Sequence, residues 1–320
     1  MKIKTIAKAF LGVLGTATAT TLINLRTNII ATNGNLLKST AEDYYEWKGC
    51  KIYYQKFGST GRPIILLHDL QATNSAEEWK YLIPELANNH RVYVLDLLGC
   101  GRSDKPKITY TNFIYVELLL DFIKSNICEK TYLIASHDTA EIAVMAAAYD
   151  QSKLSGIACI NPPSFREPKR QYSTVGKLFK KILYTPIFGT LLYNILFSKK
   201  RVSSKVNKAV PYLMYDSKSK ECREYYEASH LQDSNGRFLY ASSITGYLPM
   251  DIAHALHTIS LPIDVYYSAG LKNSEEIARK WKRLNHRISP HKLNTAGLYP
   301  QMEVPTRLAV LLDASIKKRC

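Results

Sequence analysis

The sequence predicts an α/β protein with a mostly parallel sheet covered by helices on both faces. Three observations predict it. Short apolar runs at 63–67 (PIILL), 91–95 (RVYVL) and 131–135 (TYLIA) lack the in–out alternation of a half-exposed strand, as expected of strands buried on both sides. Segments with apolar residues three and four apart intervene, for example Phe113, Val116, Leu119, Leu120 and Ile123. Strand and helix then alternate along most of the chain, as crossover connections require.

Taken in order, two strand-like runs at 44–47 and 51–57 read as a hairpin, followed by the strand at 63–67 and a helix over 77–89. The strand at 91–95 leads to a helix over 112–127. The strand at 131–135 runs into the helical EIAVMAAAY, and 155–160 is the next strand. After a long interruption come strands at 263–267 and 291–295, separated by a charged helix at 275–284. A last helix spans 306–317.

The interruption, about 161–260, shows no clear strand and reads as a helical insertion. Between Arg166 and Arg223 it carries 14 Lys/Arg against Glu167, Asp216 and Glu221, so it holds most of the chain's net charge of +16. Aliphatic residues such as Leu178, Ile182, Leu191 and Ile195 are interleaved with the lysines, and no nucleic-acid-binding module is present. The expected partner is therefore an anionic membrane surface and not a nucleic acid. Residues 1–40 add five basic residues and no acid, and Ala9 to Leu25 is an uncharged run of 17 residues. Lysines, an apolar stretch and Ala17-Thr18-Ala19 have the form of a secretory leader, and the run is marginally long enough for an anchor. Membrane association through this segment is the expectation, with a cytoplasmic protein as the alternative. Cys50, Cys100, Cys128, Cys159, Cys222 and Cys320 are scattered without a CxxC pair, which argues against both a zinc site and a disulfide framework. No cofactor is called for.

Two motifs carry a resemblance. Leu66-Leu67-His68 closes one strand, and Asp96-Leu97-Leu98-Gly99-Cys100-Gly101-Arg102-Ser103-Asp104-Lys105-Pro106 closes the next. Together they closely resemble the α/β-hydrolase fold family, with its His-Gly loop after the third strand and its D-x-x-G-x-G-x-S-D-x-P loop after the fourth. The resemblance covers about 44–320. It implies an eight-stranded, mostly parallel sheet with helices on both faces and a helical lid at about 161–260, all within a domain at 41–320. It also implies hydrolysis by a nucleophile, an acid and a histidine at the strand ends.

Carried over position by position, that triad falls on His137, Asn273 and Leu298 instead of Ser (or Asp), Asp and His. One reading is therefore a non-catalytic relative that binds a small apolar ligand or an ester-like molecule. A second makes Asp138 the nucleophile of an ester, epoxide or related hydrolase, Ser136-His137-Asp138 standing for the G-H-D elbow of some family members. An aspartyl ester needs a histidine-activated water, and the lid's His230 is the one candidate able to supply it. The oxyanion loop would be His68, Asp69 and Leu70. Asp69 replaces the family's glycine there, and a carboxylate about 5 Å from a developing oxyanion costs roughly 3 kcal/mol at an effective dielectric of 20. A third reading notes that His68-Asp69 and His137-Asp138 end on neighbouring strands, where they could support metal-assisted hydrolysis.

Overall fold

The strands form one sheet in the order β1-β2-β4-β3-β5-β6-β7-β8. They are β1 (Asp43–Trp47), β2 (Cys50–Phe57), β3 (Pro63–Leu67), β4 (Arg91–Leu95), β5 (Thr131–Ser136), β6 (Leu154–Ile160), β7 (Ile263–Ser268) and β8 (Ile288–Leu293). Only β1 with β2 and β2 with β4 are antiparallel. The structure is a computed structural model; it describes residues 2–38, 43–165, 174–295 and 297–318, with side chains from residue 15 onward.

The absence of alternation in the strands has a direct cause. Ile64 and Leu66 of β3 enter one apolar core with Trp79, Val92, Val94 and Leu308, while Ile65 and Leu67 enter the other with Tyr93, Leu95 and Leu133. Both faces are dry, so both positions of the pleat demand apolar side chains. Helices α2 (Ile83–Ala87) and α13 (Pro305–Lys317) contribute to the first core. Helices α3 (Asn112–Phe122), α4 (Thr139–Tyr149) and α11 (Ser274–Leu284) contribute to the second. The short α12 (Pro300–Glu303) precedes α13.

Three segments differ from their sequence reading. The helix expected over 77–89 is a 3-10 turn at Ala76–Trp79 followed by α2, because Pro84 begins a helix more readily than it continues one. The helix expected over 112–127 widens into a π-turn at Ile123–Ile127, closed by Cys128 at φ 59°. Strand β8 starts at Ile288, three residues before the expected position, and includes Pro290. Pro290 is tolerated because β8 lies at the sheet edge.

The interruption is helical: α5 (Thr174–Leu183), α6 (Phe188–Leu196), α7 (Lys199–Ala209), α8 (Lys220–Ser234), α9 (Gly236–Ile244) and α10 (Ala253–Thr258). The first eight residues of the basic stretch, 166–173, and Cys320 lie outside the described residues. Helix α1 (Lys2–Thr32) runs unbroken through Ala17-Thr18-Ala19 and lies on α6 and α8. Just after it, the Leu36 and Leu37 amides donate to the two oxygens of Glu227 on α8 at 3.0 and 3.2 Å. Among the described residues, no helix is long and apolar enough to cross a membrane.

Candidate functional site at the carboxyl ends of the strands

Register brings the site together. Leu67 of β3 pairs with Ala135 of β5, and Ser136 pairs with Ile160 of β6, so the loops after these three strands open side by side. Two of the loops begin with a residue of positive φ, His137 at 46° and Asn161 at 44°, and Asn273 follows β7 at 62°. His and Asn tolerate this region better than most side chains, and such strain collects at functional edges. His137 is the apex of the β5–α4 turn. Its amide donates to Ile160 O at 2.9 Å, and Ala140 N–H donates back to its carbonyl at 3.0 Å. Thr139, where the family has glycine, fits because its buried hydroxyl is close to two carbonyls, Leu67 O at 3.1 Å and Ser136 O at 2.8 Å.

The His137 imidazole is held by the loop after β6. Nδ1 lies 2.8 Å from Asn161 O, a group that can only accept, so Nδ1 carries the proton. Nε2 lies 3.7 Å from Asp138 Oδ1. Asn161 is a clamp: Nδ2 donates to Ser268 Oγ and to Leu298 O, both at 2.9 Å, while Oδ1 accepts from Ser268 N–H at 2.7 Å. It thereby joins β6, β7 and the last loop.

Asp69 is the centre of the floor. It is almost wholly buried. Its Oδ1 accepts the backbone N–H of Asp138 at 3.2 Å, and its Oδ2 accepts Tyr299 O–H at 2.8 Å. Asn74 Nδ2 donates to the same tyrosine oxygen at 3.1 Å. Burial, followed by the neighbouring Asp138 carboxylate, raises the Asp69 pKa above the usual carboxylate range. Beneath it lies Glu78, fully buried, whose Oε2 accepts from Asp69 N–H at 3.1 Å and from Asn74 Nδ2 at 2.7 Å. Gln301 Nε2 donates to Glu78 Oε1 at 2.7 Å and to Ser136 Oγ at 3.0 Å. Burial, with Asp69 adding to it, pushes Glu78 up to about 7. The Ser136 hydroxyl thus belongs to this buried network.

A cavity of about 370 Å³ stands over the floor. Asp69, Gln71, Asn74, His137 and Tyr299 form its base; Val202, Lys205, Val206 and Ala209 of α7, with Tyr225, Leu271 and Leu298, form its walls. Lys205 Nζ donates to Gln71 Oε1 at 3.0 Å, and Gln71 Nε2 donates to Asp138 Oδ2 at 3.3 Å, so the lid reaches the floor through one polar chain. A second cavity of about 400 Å³ shares His137, Leu271 and Leu298 with the first and extends along Asn161, Pro162 and Tyr267.

The structure brings Asp69, His137, Asp138 and Leu298 together and leaves the other expected residues elsewhere. Asn273 stands just before α11 without a side-chain capping bond and lines neither cavity. Leu70 is buried in the core and also lines neither. His230 is enclosed in the lid between Tyr226 and Tyr193. Its Nδ1 lies 2.9 Å from Tyr226 O and 2.8 Å from Ser229 Oγ, and burial lowers its pKa to about 4. It does not meet Asp138 across the site. His68 corrects the metal reading. Its Nδ1 faces Asp69 O at 2.9 Å and its Nε2 accepts Leu97 N–H at 3.0 Å, so neither nitrogen is left for a metal. Among the described residues, no three His, Cys, Asp or Glu side chains are grouped to hold an ion. Sequence reasoning missed Glu78, Asn161, Lys205 and Tyr299; only the prolines flanking Asn161 and Tyr299 hinted at chain turns there.

The family model described as the alpha/beta hydrolase fold matches residues 62–204. A 2-hydroxy-6-oxo-6-(2'-aminophenyl)hexa-2,4-dienoic acid hydrolase of Metapseudomonas resinovorans is 40% identical over 78 residues, 24% of this chain and 27% of that protein. A haloalkane dehalogenase of Mesorhizobium japonicum is 28% identical over 162 residues, 49% of this chain and 52% of that one. The chain therefore spans between about a quarter and about half of the length of these curated relatives. A solved serine hydrolase involved in carbazole degradation superposes with a TM-score of 0.69 at 18% identity, covering 87% of this chain and 98% of that structure. Sheet order, motif placement and the match over residues 62–204 agree, and the chain has the α/β-hydrolase fold.

Proposed function

We propose that this chain is a ligand-binding member of the fold that does not hydrolyse esters by the serine route. One observation carries the reading: Asp69 Oδ1 sits on the Asp138 N–H. In this fold the amide after the nucleophile is an oxyanion donor, and here the protein's own carboxylate occupies it. Protonating Asp69 would remove its charge but leave the amide occupied. The positions around it agree with this. The apex side chain is an imidazole, and the Ser136 hydroxyl is buried with Gln301 and Glu78. Asp138 is in right-handed helical geometry at φ −62°, ψ −28°, one residue past the apex, which disfavours it as the elbow nucleophile. Aliphatic walls over a polar base suit a small, mostly apolar molecule with one polar end.

The test is turnover of p-nitrophenyl acetate and butyrate by wild type, Ser136→Ala, His137→Ala and Asp138→Asn. All four should match the buffer rate. Wild-type turnover abolished by Asp138→Asn would replace this reading with an aspartyl nucleophile, and turnover abolished by Ser136→Ala would replace it with a serine one.

A further inference from the structure

Helix α1 is amphipathic in the inverse sense. Its inward face is polar: Thr20, Asn24 and Asn28 are buried, together with Ala31. Asn24 Nδ2 donates to Ile187 O at 2.9 Å, and Asn194 Nδ2 donates to Asn24 Oδ1 at 3.2 Å. Ser234 Oγ lies 2.6 Å from Asn28 Oδ1 and 2.7 Å from Asn194 Oδ1. These contacts give each buried asparagine a polar partner and fix the rotation of the helix. The face turned outward therefore carries Leu22, Ile23, Leu25, Ile29 and Ile30, each more than half exposed. A helix on a water-facing surface normally shows the opposite pattern.

The apolar surface continues across the lid. Ile187, which binds Asn24, leads into the exposed Phe188. Gly189 packs against the backbone carbonyls of Ile182 and Leu183, at the end of α5. Along α5, Val175, Leu178 and Ile182 are exposed. Beside them Lys177, Lys180 and Lys181, with Tyr184 and Tyr247, line an open groove of about 490 Å³. There is no acid among residues 1–41 and none from 174 to 215, where eight Lys/Arg fall.

We propose that this face, the outer side of α1 with α5 and the start of α6, docks flat on an anionic bilayer, its lysines at the headgroups and its aliphatics just beneath. An apolar patch of this extent needs a cover. One ringed by basic residues with no acid in these segments is complementary to anionic lipid and repels a second copy of itself. The proposal stands independently of whether the cavity binds or hydrolyses its ligand.

The experiment is co-flotation of the full chain with phosphatidylcholine vesicles, alone and with phosphatidylglycerol added. Binding should require the anionic lipid and weaken as salt rises. Lys177→Ala and Lys181→Ala should each weaken it about fivefold. Ile23→Asn with Ile30→Asn should weaken it about tenfold or more, at an unchanged melting temperature, since both side chains are exposed. Equal binding to neutral and anionic vesicles would overturn the proposal. So would a dimer that survives high salt, ignores vesicles and is broken by the same isoleucine substitutions, because that result assigns the face to a second copy.

Discussion

Asp69 shows how one side chain can change what a strand end does. Glycine there would leave the Asp138 amide open; the carboxylate fills it and is itself fixed by Tyr299. Both Asp69 and His137 were legible in the sequence, because each stands at a motif position whose usual occupant is known. Glu78, Asn161 and Tyr299 were not, because their roles come from partners distant in the chain: Gln301 for Glu78, Leu298 for Asn161 and Asp69 for Tyr299. Glu78 makes a prediction at this scale. Its folded-state pKa is raised to about 7, so the native protein keeps a proton that the unfolded chain sheds from about 4.5 upward. Its contribution to stability is present below pH 4.5 and lost as pH rises to about 7. Relative to wild type, Glu78→Gln should therefore gain about 3 kcal/mol between pH 4.5 and pH 8, read from urea midpoints at each pH. An amide can take the place of the protonated acid because the buried Gln301 Oε1 has no partner and can accept from it. A difference that stays constant with pH would refute the assignment.

At the scale of elements, the strands were the most legible part, since burial on both faces leaves little choice of residue. Helix breaks were less so. The step at Pro84 follows from the proline and the π-turn at Ile123–Ile127 ends at Cys128 with positive φ; a 3.6-residue period encodes neither. The loop after β4 was legible through its glycines and has a strict geometry. Asp96 accepts from Ala76 N–H at 2.6 Å and from Arg102 N–H and Nε at 2.7 Å each, and Arg102 lies 3.9 Å above the Tyr53 ring. Burial alone would raise the Asp96 pKa, but the Arg102 guanidinium outweighs it and holds the carboxyl below its usual value. Gly101 is at φ 44°, and a Cβ there would lie 2.2 Å from Asp96 Oδ2. Gly101→Val should cost about 3 kcal/mol or more in chemical denaturation, through both strain and contact. An unchanged midpoint would mean that the loop has another conformation. Helix α1 was only partly legible, for a physical reason: hydropathy along the chain reports an apolar run, and only the hydrogen-bonded asparagines show which side faces inward.

Over the whole molecule, the sheet and the helical insertion place a cavity at the carboxyl ends of the strands, and the proposed function is that its residues hold a ligand without reacting with it. The sequence carried the architecture through two loop motifs and the alternation of elements. It could not carry the occupancy of the oxyanion position, because that depends on the β3 and β5 loops meeting in space. The most direct measurement follows the Asp138 backbone amide in two-dimensional proton–nitrogen spectra of wild type and Asp69→Gly while acetate is added. With its own carboxylate in place, the wild-type amide should not move; in Asp69→Gly the emptied site should admit acetate, and the amide should shift downfield to saturation. A wild-type amide that titrates with acetate as readily as the variant's would show an open oxyanion site and contradict the account.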